Sequence, residues 1–311
     1  MLKTRILSMA CSAGEAPDQK AANLNMVLAC LDRAAAYRPD FVCFPEIVLH
    51  QRLGFPEAIA SAEPVPGPAV RAVSEKARRL NSHVIFPMVE TRNGVSFNAA
   101  VFVGRKGEIA GVYHKFHATA YEMADGIMPG DEVPVWETDR GRVGAAICFD
   151  LKFPEVGLRL SRARAKVAFW PSMFPGGERL RAWAMDYGMY MVKCTAGAGA
   201  ILDPAGQYVA SEGQHEKLGS GATLRITFSE INTDRTTYHI DYNAERLPEI
   251  MARYGEGVEV FRMQPEGTFS LASRMEDTSV EDIEREFDLE DLRAYLDRSA
   301  EARNRRLAEK V

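Results

Sequence analysis

Cysteine is scarce in this chain. The 311 residues hold five, Cys11, Cys30, Cys43, Cys148 and Cys194, an odd number with no CxxC spacing. That excludes a disulfide framework and a zinc ribbon, and points to a reducing, cytoplasmic compartment. A basic excess is also missing: 38 Lys and Arg face 43 Asp and Glu, a net charge of −5. A chain without a basic field is not expected to bind nucleic acid. No apolar run approaches the roughly 20 residues of a spanning helix, so no membrane partner is expected either. The start, with Lys3 and Arg5 ahead of Ile6-Leu7-Ser8-Met9-Ala10-Cys11, imitates a secretion signal. Its apolar stretch is too short for one, and a buried first strand is expected instead. GxGxxG and GxxxxGK[ST] are absent, so phosphate cradling has no anchor. Gly219-Ser220-Gly221 lacks the spacing of a nucleophile elbow. His114 and His117 stand three apart, but no third ligand supports them. Neither a metal nor another cofactor is expected.

What is present reads as a globular α/β chain, 46% hydrophobic and 26% charged. Ile6–Met9 reads as a strand. Leu24, Val27, Leu28 and Leu31 recur at helical spacing, which predicts a helix over 19–37, stopped by Pro39. Phe41-Val42-Cys43-Phe44 is a second strand, and this β-α-β opening favours a parallel or mixed sheet covered by helices. Residues 61–68 form a loop, and Val70, Val73, Ala77 and Leu80 mark a second helix. Strands 83–89 and 97–103 flank a hairpin turn at Asn93-Gly94. Further strands are expected near 108–113, 142–148, 166–170, 190–195, 199–203 and 222–228, and helices near 155–164 and 178–188. From about 229 the apolar strands are expected to stop. A charged tail, 276–311, carries Ile283, Phe287, Leu292, Tyr295 and Leu296 as an apolar stripe, with Ser279 and Asp282 as an N-cap. The chain therefore divides into a domain over 1–275 and a C-terminal helical tail, 276–311, that docks as a helix. Arg303, Arg305 and Arg306 read as a solvated helix end.

Three residues stand at strand ends, where α/β folds gather their chemistry. Glu46 follows Phe44-Pro45. Lys115 sits in Tyr113-His114-Lys115-Phe116-His117. Cys148 closes Val143-Gly144-Ala145-Ala146-Ile147 ahead of Phe149-Asp150-Leu151-Lys152-Phe153-Pro154-Glu155. A Cys at a sharp strand-to-helix turn has free backbone N–H groups beside it, suited to a thiolate or an oxyanion. Singly, each has an ordinary explanation: a solvated loop carboxylate, a surface lysine, a small packing residue.

In this order and spacing, the three segments resemble the signature of the nitrilase superfamily, the carbon–nitrogen hydrolases. Gly141-Arg142-Val143-Gly144, Met128-Pro129-Gly130 and Ile201-Leu202-Asp203-Pro204-Ala205-Gly206 fit too, and the likeness spans about residues 4–228. It implies a four-layer α-β-β-α sandwich, a single domain with a helical tail, that pairs into a homodimer or higher oligomer, with 1–275 as the catalytic domain and the tail 276–311 docking or contacting the dimer partner. It also implies a site of Glu46 as general base, Lys115 as the cation at the oxyanion, Glu122 as the second carboxylate and Cys148 as nucleophile. Asp125 is the fallback for Glu122, and the Phe149 N–H joins Lys115 at the oxyanion. The chain departs from the family in lacking a Gln near the first strand and in the Ile47–Arg52 stretch before Gly54-Phe55.

The Cys-Phe-Asp-x-x-Phe-Pro-Glu context is similar to the amidase and carbamoylase branches. It implies hydrolysis of a small non-peptide amide or N-carbamoyl compound through a cysteine thioester, releasing ammonia or an amine. Arg52, Trp170, Ser172 and Met173 are the candidates to line the substrate pocket, Arg52 meeting a carboxylate. The other readings are a nitrilase that makes a carboxylic acid from a nitrile, an amide-forming acyltransferase, and a non-catalytic scaffold. The intact Glu46, Lys115, Glu122 and Cys148 set stands against the last.

Overall fold

In the strands of this chain, residues of opposite parity face opposite layers. Ile6, Phe41 and Ile85 point one way and Leu7, Val42 and Val84 the other, and all are buried. Such strands need cover on both faces, and the fold supplies it with two stacked sheets and two helical layers. The computed structural model describes residues 2–309. Seven strands form the first sheet, in the order Gln214–Lys217, Thr223–Asn232, Lys3–Ser12, Phe41–Cys43, His83–Arg92, Val95–Val103 and Ile109–His114. Six form the second: Tyr208–Ser211, Gly199–Leu202, Tyr190–Cys194, Val167–Pro171, Gly141–Ala145 and Val135–Thr138.

Ile6, Phe41, Ile85, Phe102 and Tyr113 meet Val143, Phe169, Val192 and Ile201 in one inter-sheet core. Helices Gln19–Ala34 and Pro68–Leu80 cover the other face of the first sheet through Val27, Leu31, Val70 and Val73. Pro154–Arg162 and Glu178–Tyr187 cover the second through Val156, Leu160, Leu180 and Trp183. This is the α-β-β-α order that the resemblance implies. The expected hairpin is present: Arg92 pairs with Val95 across Asn93 and Gly94, whose φ values are +52° and +78°. Two positive φ angles are what a tight two-residue hairpin demands.

Lys3–Ser12, Phe41–Cys43 and His83–Arg92 run parallel. Ile109–His114 shares their direction, because Val95–Val103 pairs antiparallel on both sides. Their C-terminal ends therefore lie at one edge of the sheet, along with the start of Val95–Val103.

The chain after 229 corrects the expectation that strands stop. Arg235–His239, Thr268–Ser273 and Val258–Met263 form a third, antiparallel sheet. Polar residues such as Arg235, Thr236 and Thr237 break up the apolar runs by which the other strands are read. Tyr238, Ile250, Phe269 and Leu271 pack there with Val280, Ile283 and Phe287. The tail is two helices, Val280–Glu286 and Leu292–Ala308. Ser279 Oγ accepts from the Asp282 N–H, as the N-cap reading expects. Leu292 is buried, but Leu296 is 36% exposed, so the stripe docks only in its first part. The Arg162 guanidinium grips Asp297 at 2.9 and 3.0 Å, and Arg164 grips Glu284 at 2.9 and 2.7 Å, tying the tail to the sandwich. Met1 and the last two residues of the tail, 310 and 311, lie outside the described residues.

Candidate active site

Lys115 follows directly on the edge strand Ile109–His114, and its backbone N–H donates to the Asn98 carbonyl at 2.8 Å. That pairing carries the ladder one residue past the strand and turns the lysine side chain inward. Its Nζ is buried and lies 2.9 Å from Glu46 Oε1 and 3.0 and 2.8 Å from the two oxygens of Glu122. Glu122 reaches it from the helix Ala120–Ala124, which a capping box starts: Thr119 Oγ1 accepts from the Glu122 N–H, and the Glu122 carboxylate accepts from the Thr119 N–H at 2.7 Å. All three charged side chains are 2–3% exposed. Asp125, the fallback, is exposed at the end of the same helix.

Burial disfavours each charge, yet the opposite charges outweigh it. Burial alone would lower the Lys115 pKa. The carboxylates of Glu46 and Glu122 instead hold it above the ordinary lysine value. Burial likewise opposes the Glu122 anion, but Lys115, Asn98 and the Thr119 N–H hold its carboxyl below the usual range.

Asn98 is the residue that sequence reasoning missed. It is fully buried, and its Nδ2 donates to Glu46 Oε1 at 2.9 Å and to Glu122 Oε1 at 2.7 Å. The available signal was a lone amide inside the apolar strand Phe97-Asn98-Ala99-Ala100-Val101. Glu46 Oε2, by contrast, is buried and without a hydrogen-bond partner.

Cys148 completes the group from the second sheet. Gly141–Ala145 ends three residues ahead of it, and a 3-10 turn begins at Cys148 itself. The turn forces its φ to +46°, a left-handed conformation that costs a non-glycine residue about 1–3 kcal/mol. Trp170 Nε1 donates to the Cys148 carbonyl at 3.1 Å and pins the turn. Asp150 holds it from within: it is fully buried and accepts from the Ile147 N–H, the His117 N–H and the Tyr113 hydroxyl, at 2.7, 2.7 and 2.6 Å. One carboxylate thus fastens the Cys148 turn to the segment carrying Lys115. Burial pushes Asp150 up to about 6 despite those donors. Burial and the Glu46 carboxylate push the Cys148 thiol up to about 12, against the opposing pull of Lys115 and the Met173 N–H. At neutral pH the sulfur is therefore a thiol whose proton needs a base.

Of the expected pocket residues, Met173 is 70% exposed beside the sulfur. Trp170 and Ser172 are buried, with Ser172 Oγ donating to the Phe174 carbonyl at 2.9 Å. Arg52 pairs with Glu15 at 2.6 Å, with side chains 42% and 86% exposed. That surface ion pair occupies the guanidinium expected to meet a substrate carboxylate. His114 binds Glu90 at 2.6 Å and His117 lies 2.7 Å from Glu155, so the two rings do not converge.

A sequence profile for the family described as "Carbon-nitrogen hydrolase" matches residues 10–231. The omega-amidase NIT3 of Saccharomyces cerevisiae is 24% identical over 242 residues, 66% of this chain and 82% of that protein. An (R)-stereoselective amidase from Pseudomonas sp. is 25% identical over 232 residues, covering 69% and 82%. Among solved structures, yeast Nit3, described as a member of branch 10 of the nitrilase superfamily, aligns with a TM-score of 0.63 at 20% identity, over 82% of this chain and 95% of that one. An amidase from Nesterenkonia sp. aligns with a TM-score of 0.63 at 18% identity, over 81% and 96%. At such identities the structural likeness establishes the fold.

Proposed function

Because the chain belongs to the carbon–nitrogen hydrolase family, in the amidase-like part of the nitrilase superfamily, we propose that it hydrolyses a small primary amide through a Cys148 thioester. One observation carries the reading: Lys115 is bridged by two buried carboxylates, and one oxygen of Glu46 is left free beside the Cys148 thiol.

Glu46 is the general base. Its Oε2 takes the thiol proton as sulfur attacks the carbonyl carbon, so a thiol held near 12 need not ionise beforehand. The developing oxyanion takes hydrogen bonds from Lys115 Nζ and the Phe149 N–H. Glu46 then returns the proton to the departing nitrogen, which leaves as ammonia. Glu46 next takes a proton from water, whose oxygen attacks the thioester carbon. Collapse releases the carboxylic acid, and Glu46 hands the proton taken from water to the departing sulfur, which restores the thiol. Glu122 keeps Lys115 charged and in place. Every step uses groups of this chain and water. Met173 is the residue we assign to the mouth of the substrate pocket.

N-carbamoyl compounds present the same carbonyl–nitrogen bond and are the second substrate class in this reading. The five cysteines are unpaired, which suits a reducing cytoplasm, and a homo-oligomer follows the family habit. No helix among the described residues is long and apolar enough to cross a membrane.

The test is ammonia release from butyramide, N-carbamoyl amino acids and aliphatic nitriles. Butyramide is expected to turn over and the Cys148→Ala variant to lose at least about a thousandfold in rate. Ammonia release that survives in Cys148→Ala overturns the mechanism, and turnover of nitriles alone overturns the amide reading.

A further inference from the structure

Two carboxylates around one ammonium pose a problem of assignment. Glu46 and Glu122 have the same chemistry, are equally buried and share Lys115. Only one of them can serve as base, and that one needs an oxygen free of donors. Counting donors separates them. Glu122 Oε1 accepts from Lys115 and Asn98, and Glu122 Oε2 from Lys115 and the Thr119 N–H. Glu46 Oε1 accepts from Lys115 and Asn98, while Oε2 accepts from nothing.

We infer that Asn98 is a positioning residue for catalysis, which clamps the two Oε1 atoms so that Glu46 Oε2 is left turned to the thiol. The inference rests on the proposed thioester mechanism and assigns a role to a residue outside it.

The chemistry calls for an amide at this place. Its two N–H bonds serve one carboxylate each, which no hydroxyl can do with a single proton. A second cation would serve both, but it would cancel the net negative charge that Glu46, Glu122 and Lys115 leave, and so weaken the base. A third carboxylate would repel both neighbours. The amide orientation follows from the neighbours, since its oxygen facing two carboxylates would be repelled. That oxygen, Oδ1, is buried without a partner.

The experiment follows alkylation of Cys148 by iodoacetamide in the full-length protein from pH 5 to 10, with each cysteine peptide quantified by mass spectrometry. In the wild type Cys148 is expected to label faster than the buried Cys30 and Cys194 throughout. Asn98→Ala removes the donor from both Oε1 atoms, so Glu46 Oε2 loses its orientation to the thiol, and labelling of Cys148 should slow about tenfold at pH 7. The isosteric Asn98→Asp preserves volume but supplies no N–H, and should slow Cys148 at least as far. A merely structural role would loosen the fold and speed Cys30 and Cys194 together with Cys148, so labelling of Cys148 that is not selectively slowed in the variants that fold overturns the inference. The thioester mechanism fails separately, if wild-type Cys148 labels no faster than the buried Cys30 and Cys194.

Discussion

At the scale of single residues, the site is set by which charges are buried together and what answers them. Asp150 illustrates how far burial reaches. Its carboxyl rises from 3.8 to about 6 in the fold. A carboxyl whose folded pKa is raised binds its proton more tightly folded than unfolded, so it adds stability as pH falls from about 6 towards 4. Two units correspond to about 3 kcal/mol. Urea unfolding of the wild type and Asp150→Asn at pH 7 and pH 4 should therefore give a stability difference that shifts in favour of the wild type by up to about 3 kcal/mol at the lower pH. A pH-independent difference would show that Asp150 titrates normally. Sequence reading reached Glu46, Lys115 and Cys148 because each belongs to a short motif at a strand end, and Glu122 through the family resemblance. Asn98 and Asp150 escaped it for opposite reasons. Asn98 lies inside a strand, where a lone polar residue carries no chemical signature. Asp150 sat within a quoted motif, but two of its three hydrogen bonds run to Tyr113 and His117, far from it in the chain.

At the scale of elements, the strand ends hold their positions through close backbone approach. The Gly130 N–H donates to the Lys115 carbonyl at 2.8 Å, and a Cβ on Gly130 would run into the carbonyl oxygen of His114. Gly130→Ala should push the end of Ile109–His114 outward and withdraw Lys115 from its carboxylates. We expect a loss of about 1–3 kcal/mol from overpacking, with alkylation of Cys148 slowed at neutral pH. Thermal melts and the alkylation rate read both, and an unchanged pair of values would remove Gly130 from the support of the site. The elements of the sandwich were legible because parallel strands buried on both faces read as unbroken apolar runs. The third sheet was not, because its strands mix polar and apolar residues and are separated by helical segments such as Leu247–Tyr254. The nucleophile strand also ended earlier than its apolar run, at Ala145 rather than Cys148. Ala146 and Ile147 lie between them, and the turn that presents the sulfur begins at Cys148.

At the scale of the whole molecule, the C-terminal region divides into a part built into the fold and a part that projects. Val280, Ile283 and Phe287 are buried with Tyr238 and Phe269, whereas residues 298–309 are exposed. Truncation after residue 299 should change the melting temperature by no more than about 2 °C, while truncation after 275 should lower it by well over 10 °C or prevent soluble expression. Equal effects of the two truncations would contradict this division. If the projecting helix contacts a second copy, as we propose for the oligomer, light scattering should find a lower mass after the short truncation alone. The first sheet also sets an order of events during synthesis. One of its inner strands, Lys3–Ser12, pairs along its whole length with Thr223–Asn232, from Lys3 against Asn232 to Ser12 against Thr223. Closing that ladder brings together residues more than 200 positions apart, the kind of contact that slows folding. A nascent chain that has not yet exposed residue 232 already carries Glu46, Asn98, Lys115, Glu122 and Cys148, but the strand beside Glu46 lacks its outer neighbour. The chemistry is therefore encoded in the first half of the chain and becomes available only when the last strand of the first sheet leaves the ribosome.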